Sequence, residues 1–157
     1  MPEFSDKAPY LKQIAIYFQQ EAYQKAYLLS EEFVQKFPKI LLSHFLLAKS
    51  AFWTDDFETA KKEGLLAFNL ANGEYELEIT GILLACIYYR LKEYRKGMDL
   101  VMLLNYKLQT KENLMKLKFL FALALNDESV AMRYLDMLYE INREEAKKLL
   151  SKFIPVG

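Results

Sequence analysis

A single cysteine, Cys86, among 157 residues excludes an internal disulfide, so nothing ties the chain to an oxidising compartment. A single histidine, His44, is just as restrictive: with Cys86 it falls short of the protein ligands that a catalytic zinc needs. Glycine and proline are scarce, five and four residues, and no proline lies between Pro38 and Pro155. A stretch that long without proline, and with few β-branched runs, is expected to be helical. An excess of charge is missing too. The 21 basic and 21 acidic residues balance, which argues against a wholesale nucleic-acid binder or a polybasic membrane protein. No long hydrophobic run is present. The longest uncharged stretch, the eleven residues Ile79 to Tyr89, falls well short of the roughly 20 apolar residues of a spanning helix. That run predicts a helix buried on most of its sides. The opening residues MPEFSDKAPY lack a basic stretch, an apolar run and a small-residue cleavage site, so no secretory signal and a cytoplasmic location are expected. The patterns GxxxxGK[ST], GxGxxG and GxSxG do not occur, which leaves phosphate-cradling loops and nucleophile elbows without support.

What the chain does have is apolar material, 53% of its residues, with 15% aromatic, far too much for a disordered segment. Hydrophobic spacing predicts an all-α domain over 1–157 with helices at Ala8–Gln19, Ala22–Lys36, Leu41–Trp53, Asp56–Leu70, Glu74–Leu91, Glu93–Lys107, Lys111–Leu125, Glu128–Ile141 and Arg143–Phe153. Short polar links between them force consecutive helices to run antiparallel. Asp6 and Thr110 are candidate N-caps, and Asn142 with Glu145 has the spacing of a capping box. The acidic group Asp55, Asp56 and Glu58 stands where a turn enters a helix, and capping accounts for it without catalysis.

The pairs repeat. The segments AYQKAYLLSEEF, DFETAKKEGLLA, EYRKGMDLVMLL and DESVAMRYLDML align without gaps, and their small residues Ala26, Ala60, Gly97 and Ala131 lie 34, 37 and 34 residues apart. Three residues before the first three of these stands an aromatic: Tyr23, Phe57, Tyr94. The small residue lets two helices approach closely, and the aromatic fills the gap at the turn. This spacing resembles the tetratricopeptide repeat, a helix-turn-helix unit of about 34 residues. The resemblance covers repeats at about 7–40, 41–77, 78–110 and 111–142, followed by a capping helix at 143–154. It is loose in detail. Tyr10, His44, Gly81 and Met115 stand where the repeat has Trp, so His44 is read as a packing residue.

The resemblance implies a right-handed superhelix of four helical pairs whose first helices line a concave groove. It places Leu11, Ala15, Phe18, Phe45, Lys49, Phe52, Trp53, Ile82, Cys86, Tyr89, Lys116 and Leu120 toward that groove. The function it implies is a non-enzymatic scaffold, adaptor or chaperone, without cofactor or metal, that holds a peptide or helix of another protein. The Lys/Asn/Arg clamp of chaperone-tail receptors in this family is absent: Leu11, Ala15, Leu46, Ile79 and Leu83 stand at its places. An alternative rests on charge. Residues 90–118 carry 8 basic and 3 acidic groups, and Arg90, Lys92, Arg95, Lys96, Lys107, Lys111, Lys116 and Lys118 could form a patch for nucleic acid or phosphate groups. In the final helix Ala146, Leu149, Leu150 and Phe153 recur opposite Lys147, Lys148 and Lys152, as expected of a cap over the fourth repeat.

Overall fold

A computed structural model describes residues 2–108 and 112–152, with side chains from residue 6 onward. Thr110, Lys111 and Phe153, which carry expectations above, lie outside the described residues. The fold is all-α: nine helices and no strand among the described residues. They are α1 (Pro2–Gln19), α2 (Tyr23–Lys36), α3 (Leu41–Trp53), α4 (Phe57–Leu70), α5 (Glu74–Arg90), α6 (Tyr94–Lys107), α7 (Glu112–Ala124), α8 (Glu128–Ile141) and α9 (Arg143–Ser151). The largest departure from the sequence reading is α1, which begins at Pro2. Proline is tolerated at a helix start because its missing N–H would have no partner there. Asp6 therefore lies within α1 and is not its cap.

The chain forms two compact units, Met1–Asn72 and Gly73–Gly157. Gly73 opens the second at φ 105°, a backbone conformation that glycine adopts without steric cost. The hairpins α1–α2 and α3–α4 build the first unit; α5–α6, α7–α8 and α9 build the second.

All four hairpins turn the same way. Glu21, Asp55, Lys92 and Asn126 each take φ between 56° and 64°. The next residue in each donates its N–H back across the turn: Ala22 to the Tyr17 carbonyl at 2.8 Å, then Asp56 to Ala51, Glu93 to Tyr88 and Asp127 to Ala122, each at 2.9 Å. This is the left-handed helix termination that satisfies otherwise orphaned carbonyls. Asp56 and Asp127 then cap α4 and α8 by accepting from Thr59 and Val130 N–H. Asp56 also accepts from the Tyr27 hydroxyl of α2 at 2.7 Å, and that bond holds its carboxyl below the usual range. Ala26, Ala60, Gly97 and Ala131 are all buried one turn into the second helix.

In the first unit the Phe37–Ile40 link is secured from below. Ser43 Oγ donates to the Phe37 and Ile40 carbonyls at 2.6 and 2.9 Å, and His44 Nε2 lies 2.6 Å from the Pro38 carbonyl. His44 Nδ1 stands 2.5 Å from Glu63 Oε2 of α4, and both residues are buried. Both ring nitrogens of His44 are thereby engaged, one by a backbone carbonyl and one by a side-chain carboxyl group. His44 is thus a hydrogen-bonded bridge as well as a packing residue.

The second unit is packed by shape. An added methyl at Gly81 would come 2.6 Å from Leu104 Cδ1, and one at Gly97 would overlap the Phe121 ring. The uncharged run Ile79–Tyr89 has no exposed residue. In α9, Ala146 and Leu149 are buried and Leu150 half-buried, while Lys147, Lys148 and Lys152 face solvent, as a cap over α8 requires. The capping box at its start is half formed. Asn142 accepts from the Glu145 N–H at 3.2 Å, but the Glu145 carboxylate turns to Lys116 of α7, 2.7 Å away.

Candidate functional site

The groove residues expected from sequence fall in both units: Leu11, Phe18, Phe45, Lys49, Phe52 and Trp53 in the first, Ile82, Tyr89 and Lys116 in the second. None of the nine is buried.

The first unit brings three of them, Phe18, Phe52 and Trp53, into one aromatic series. Phe18 at the end of α1 meets Tyr23 at the start of α2, with ring centroids 6.0 Å apart. Tyr23 stacks on Trp53 of α3 at 5.2 Å and 15°. Trp53 meets Phe52 edge-on at 5.6 Å, and Phe52 meets Phe57 of α4 at 5.8 Å. The Lys49 ammonium sits over the Phe18 ring at 4.8 Å, a cation–π geometry, and Lys49 has no ion pair among the described residues. Trp53 keeps 52% of its surface exposed. Leu11 and Phe45 are half-buried on α1 and α3.

Local sequence explains the series. Phe18 with Tyr23, Phe52 with Phe57 and Tyr89 with Tyr94 are the same pair, placed across the same left-handed turn in three hairpins. The rings expected to face a ligand are therefore also the rings that seal the turns. Trp53 is different: it has no partner across its own turn and reaches back to the preceding hairpin. Tyr23 was legible as a turn aromatic, but nothing in the sequence marked it as the platform under Trp53.

In the second unit Tyr89 packs edge-on against Tyr94 and Phe121 at 5.5 and 5.6 Å, and Ile82 is half-buried on α5. Lys116 is engaged, paired with Glu112 at 3.4 Å and Glu145 at 2.7 Å. Burial pushes the Cys86 thiol up, which lowers its reactivity.

Two members of the basic stretch, Lys116 and Lys118, do not present a free surface charge. Lys118 is a correction: only 2% of it is exposed, its ammonium lies 5.1 Å from the Tyr134 ring centroid, and burial holds its pKa below the usual lysine value. It occupies the place of Leu47 and Leu84, core residues of the preceding repeats. Arg90, Lys92, Arg95, Lys96 and Lys107 are exposed.

Chemically, the first unit's face offers ring surfaces and one ammonium. No cluster of three or more His, Cys, Asp or Glu among the described residues could hold a metal ion. No helix there is long and apolar enough to cross a membrane. No family model and no curated protein matches the chain.

Proposed function

We propose that the protein is a non-enzymatic interaction module of tetratricopeptide-like helical hairpins, working in the cytoplasm. It binds an apolar peptide segment or helix of a partner protein on the face around Trp53. The half-exposed Trp53, stacked on Tyr23 beside the unpaired Lys49, carries this reading. A large ring held rigid and left half in water offers binding surface at little entropic cost, and Trp is among the commonest carriers of interface energy. Lys49 adds a preference for a carboxylate next to the docking side chain. The nucleic-acid alternative keeps the exposed Arg90, Lys92, Arg95 and Lys96, but loses Lys118, which is buried, and Lys116, which is paired.

Trp53 is the only tryptophan, so its fluorescence reports on this face directly. Selection from a random peptide library should return sequences that pair an apolar anchor with Asp or Glu and shift Trp53 emission to the blue. Trp53→Ala should weaken those peptides by about 2 kcal/mol, and Lys49→Glu should reverse their charge preference. Selected peptides that bind both variants as they bind the parent would move the site elsewhere.

A further inference from the structure

At the other end of α3's hairpin neighbourhood, the first unit holds a cleft of about 300 Å³ lined by Lys7, Lys36, Phe37, Pro38, Lys39 and Ile40. Three of these six are lysines, and none is acidic. Lys7 comes from α1, Lys36 from the end of α2 and Lys39 from the link that follows, so the fold brings three separate cations to one opening. None of the three has an ion pair with a described carboxylate. Lys36 is engaged first by Tyr10, whose ring centroid lies 5.5 Å from its ammonium, with Glu32 and Asp6 also near; none of the three lines the cleft, so Lys36 must leave Tyr10 to meet a ligand there.

The backbone carbonyls of the link already have partners: Ser43 donates to those of Phe37 and Ile40, and His44 Nε2 lies 2.6 Å from that of Pro38. His44 in turn meets the buried Glu63, so the link that carries Lys39 is held by a bonded network. The remaining surface is apolar: the half-buried Phe37 ring, with Lys7 5.6 Å from its centroid, and Pro38.

We propose that this cleft binds a phosphate monoester of mononucleotide size or smaller, its phosphoryl oxygens meeting Lys7, Lys36 and Lys39 and its planar apolar part lying against Phe37 and Pro38. Three ammonium groups match a dianionic head, the ring gives a flat substituent a surface to stack on, and the volume sits at the lower end of ligand pockets. The site is separate from the Trp53 face, and either reading can fail without the other.

The test is a titration of the full chain with phenyl phosphate, followed by amide shifts in a 15N-labelled sample. Shifts confined to the neighbourhood of Lys7 and to residues 36–41, with a Kd of about 1 mM or tighter and at least about tenfold weaker binding of inorganic phosphate, are expected. The triple variant Lys7→Gln, Lys36→Gln, Lys39→Gln touches no fully buried side chain, and amide shifts unchanged beyond the cleft serve as its folding control; it should lose binding at least about tenfold. Raising salt from about 50 to 200 mM should also weaken it. No shift at residues 36–41, equal affinity for phenyl and inorganic phosphate, or full binding by the triple variant would each overturn the proposal.

Discussion

Where the first unit places Ala26 on α2 and Ser50 on α3, both buried, the second places Gly97 on α6 and Phe121 on α7 at the matching repeat positions. One pair is two small residues; the other is the smallest against one of the largest, and Gly97 has no room for a methyl. The same exchange occurs at one matching position in the first helix of each hairpin. In the first unit it holds Tyr10, stacked on Phe33 at 5.3 Å, and His44, bridged to Glu63. In the second it holds Gly81, filled from the opposite side by Leu104, and Met115, fully buried. A hairpin repeat thus fixes backbone turns and total volume rather than residue identity, as close packing demands. The units also differ in where polarity is hidden. The first buries a bonded network under its link, the second a lone lysine among apolar side chains.

The largest expected effect breaks the first unit's network. His44→Ala leaves the Pro38 carbonyl and the buried Glu63 carboxylate without their partner and should cost about 3 kcal/mol, read as a lower melting temperature. If His44→Ala melts like the parent, the buried bridge is not what holds the link. Next comes the second unit's tight contact. Gly97→Ala should cost about 1–3 kcal/mol by overpacking, and Phe121→Leu in the same chain should restore part of the loss. Additive losses in the double variant would show that the two residues do not share one space.

Replacing the odd residue should have the opposite sign. Lys118→Leu restores the side chain found at Leu47 and Leu84 and should stabilise by about 1 kcal/mol or more, because a desolvated ammonium without an anionic partner is removed. A destabilised Lys118→Leu would mean that the cation's place over Tyr134 outweighs its desolvation. Smaller still is the turn. Lys92 holds φ 62° with a side chain attached, so Lys92→Gly should gain about 0.5–1 kcal/mol, whereas Asn126, already suited to that conformation, should gain little from the same change. Equal gains at both would separate stability from backbone strain.

The smallest effect is local and depends on pH. Lys116 holds the Glu145 carboxyl below its ordinary value, so the anchor of α9 is in place above the usual carboxylate range and is lost as pH falls through that lowered value. Lys116→Gln should remove this acid-dependent step and leave α9 fraying more readily at neutral pH, measured by amide exchange in residues 143–151. Unchanged exchange and an unchanged acid step would leave α9 held by Ala146 and Leu149 alone.

The sequence by itself determined the helices and their register, because periodicity, turn length and the recurring small residue are local properties. Leu41–Trp53 and Glu128–Ile141 begin and end where their spacing says, and the four buried small residues follow from one alignment. It also marked Phe45, Lys49, Phe52 and Trp53 as one face of α3, since residues three and four apart share a helix side; Phe18, on α1, was placed beside them only by the resemblance. The tertiary structure alone decided which residues met across hairpins. His44 gained Glu63, Trp53 gained Tyr23, Lys116 gained Glu145, Gly97 gained Phe121, and Lys118 sank into the core. Each of these depends on how far apart two helices settle and on what fills the space between them. Those are properties of the packed whole that no single helix's pattern contains.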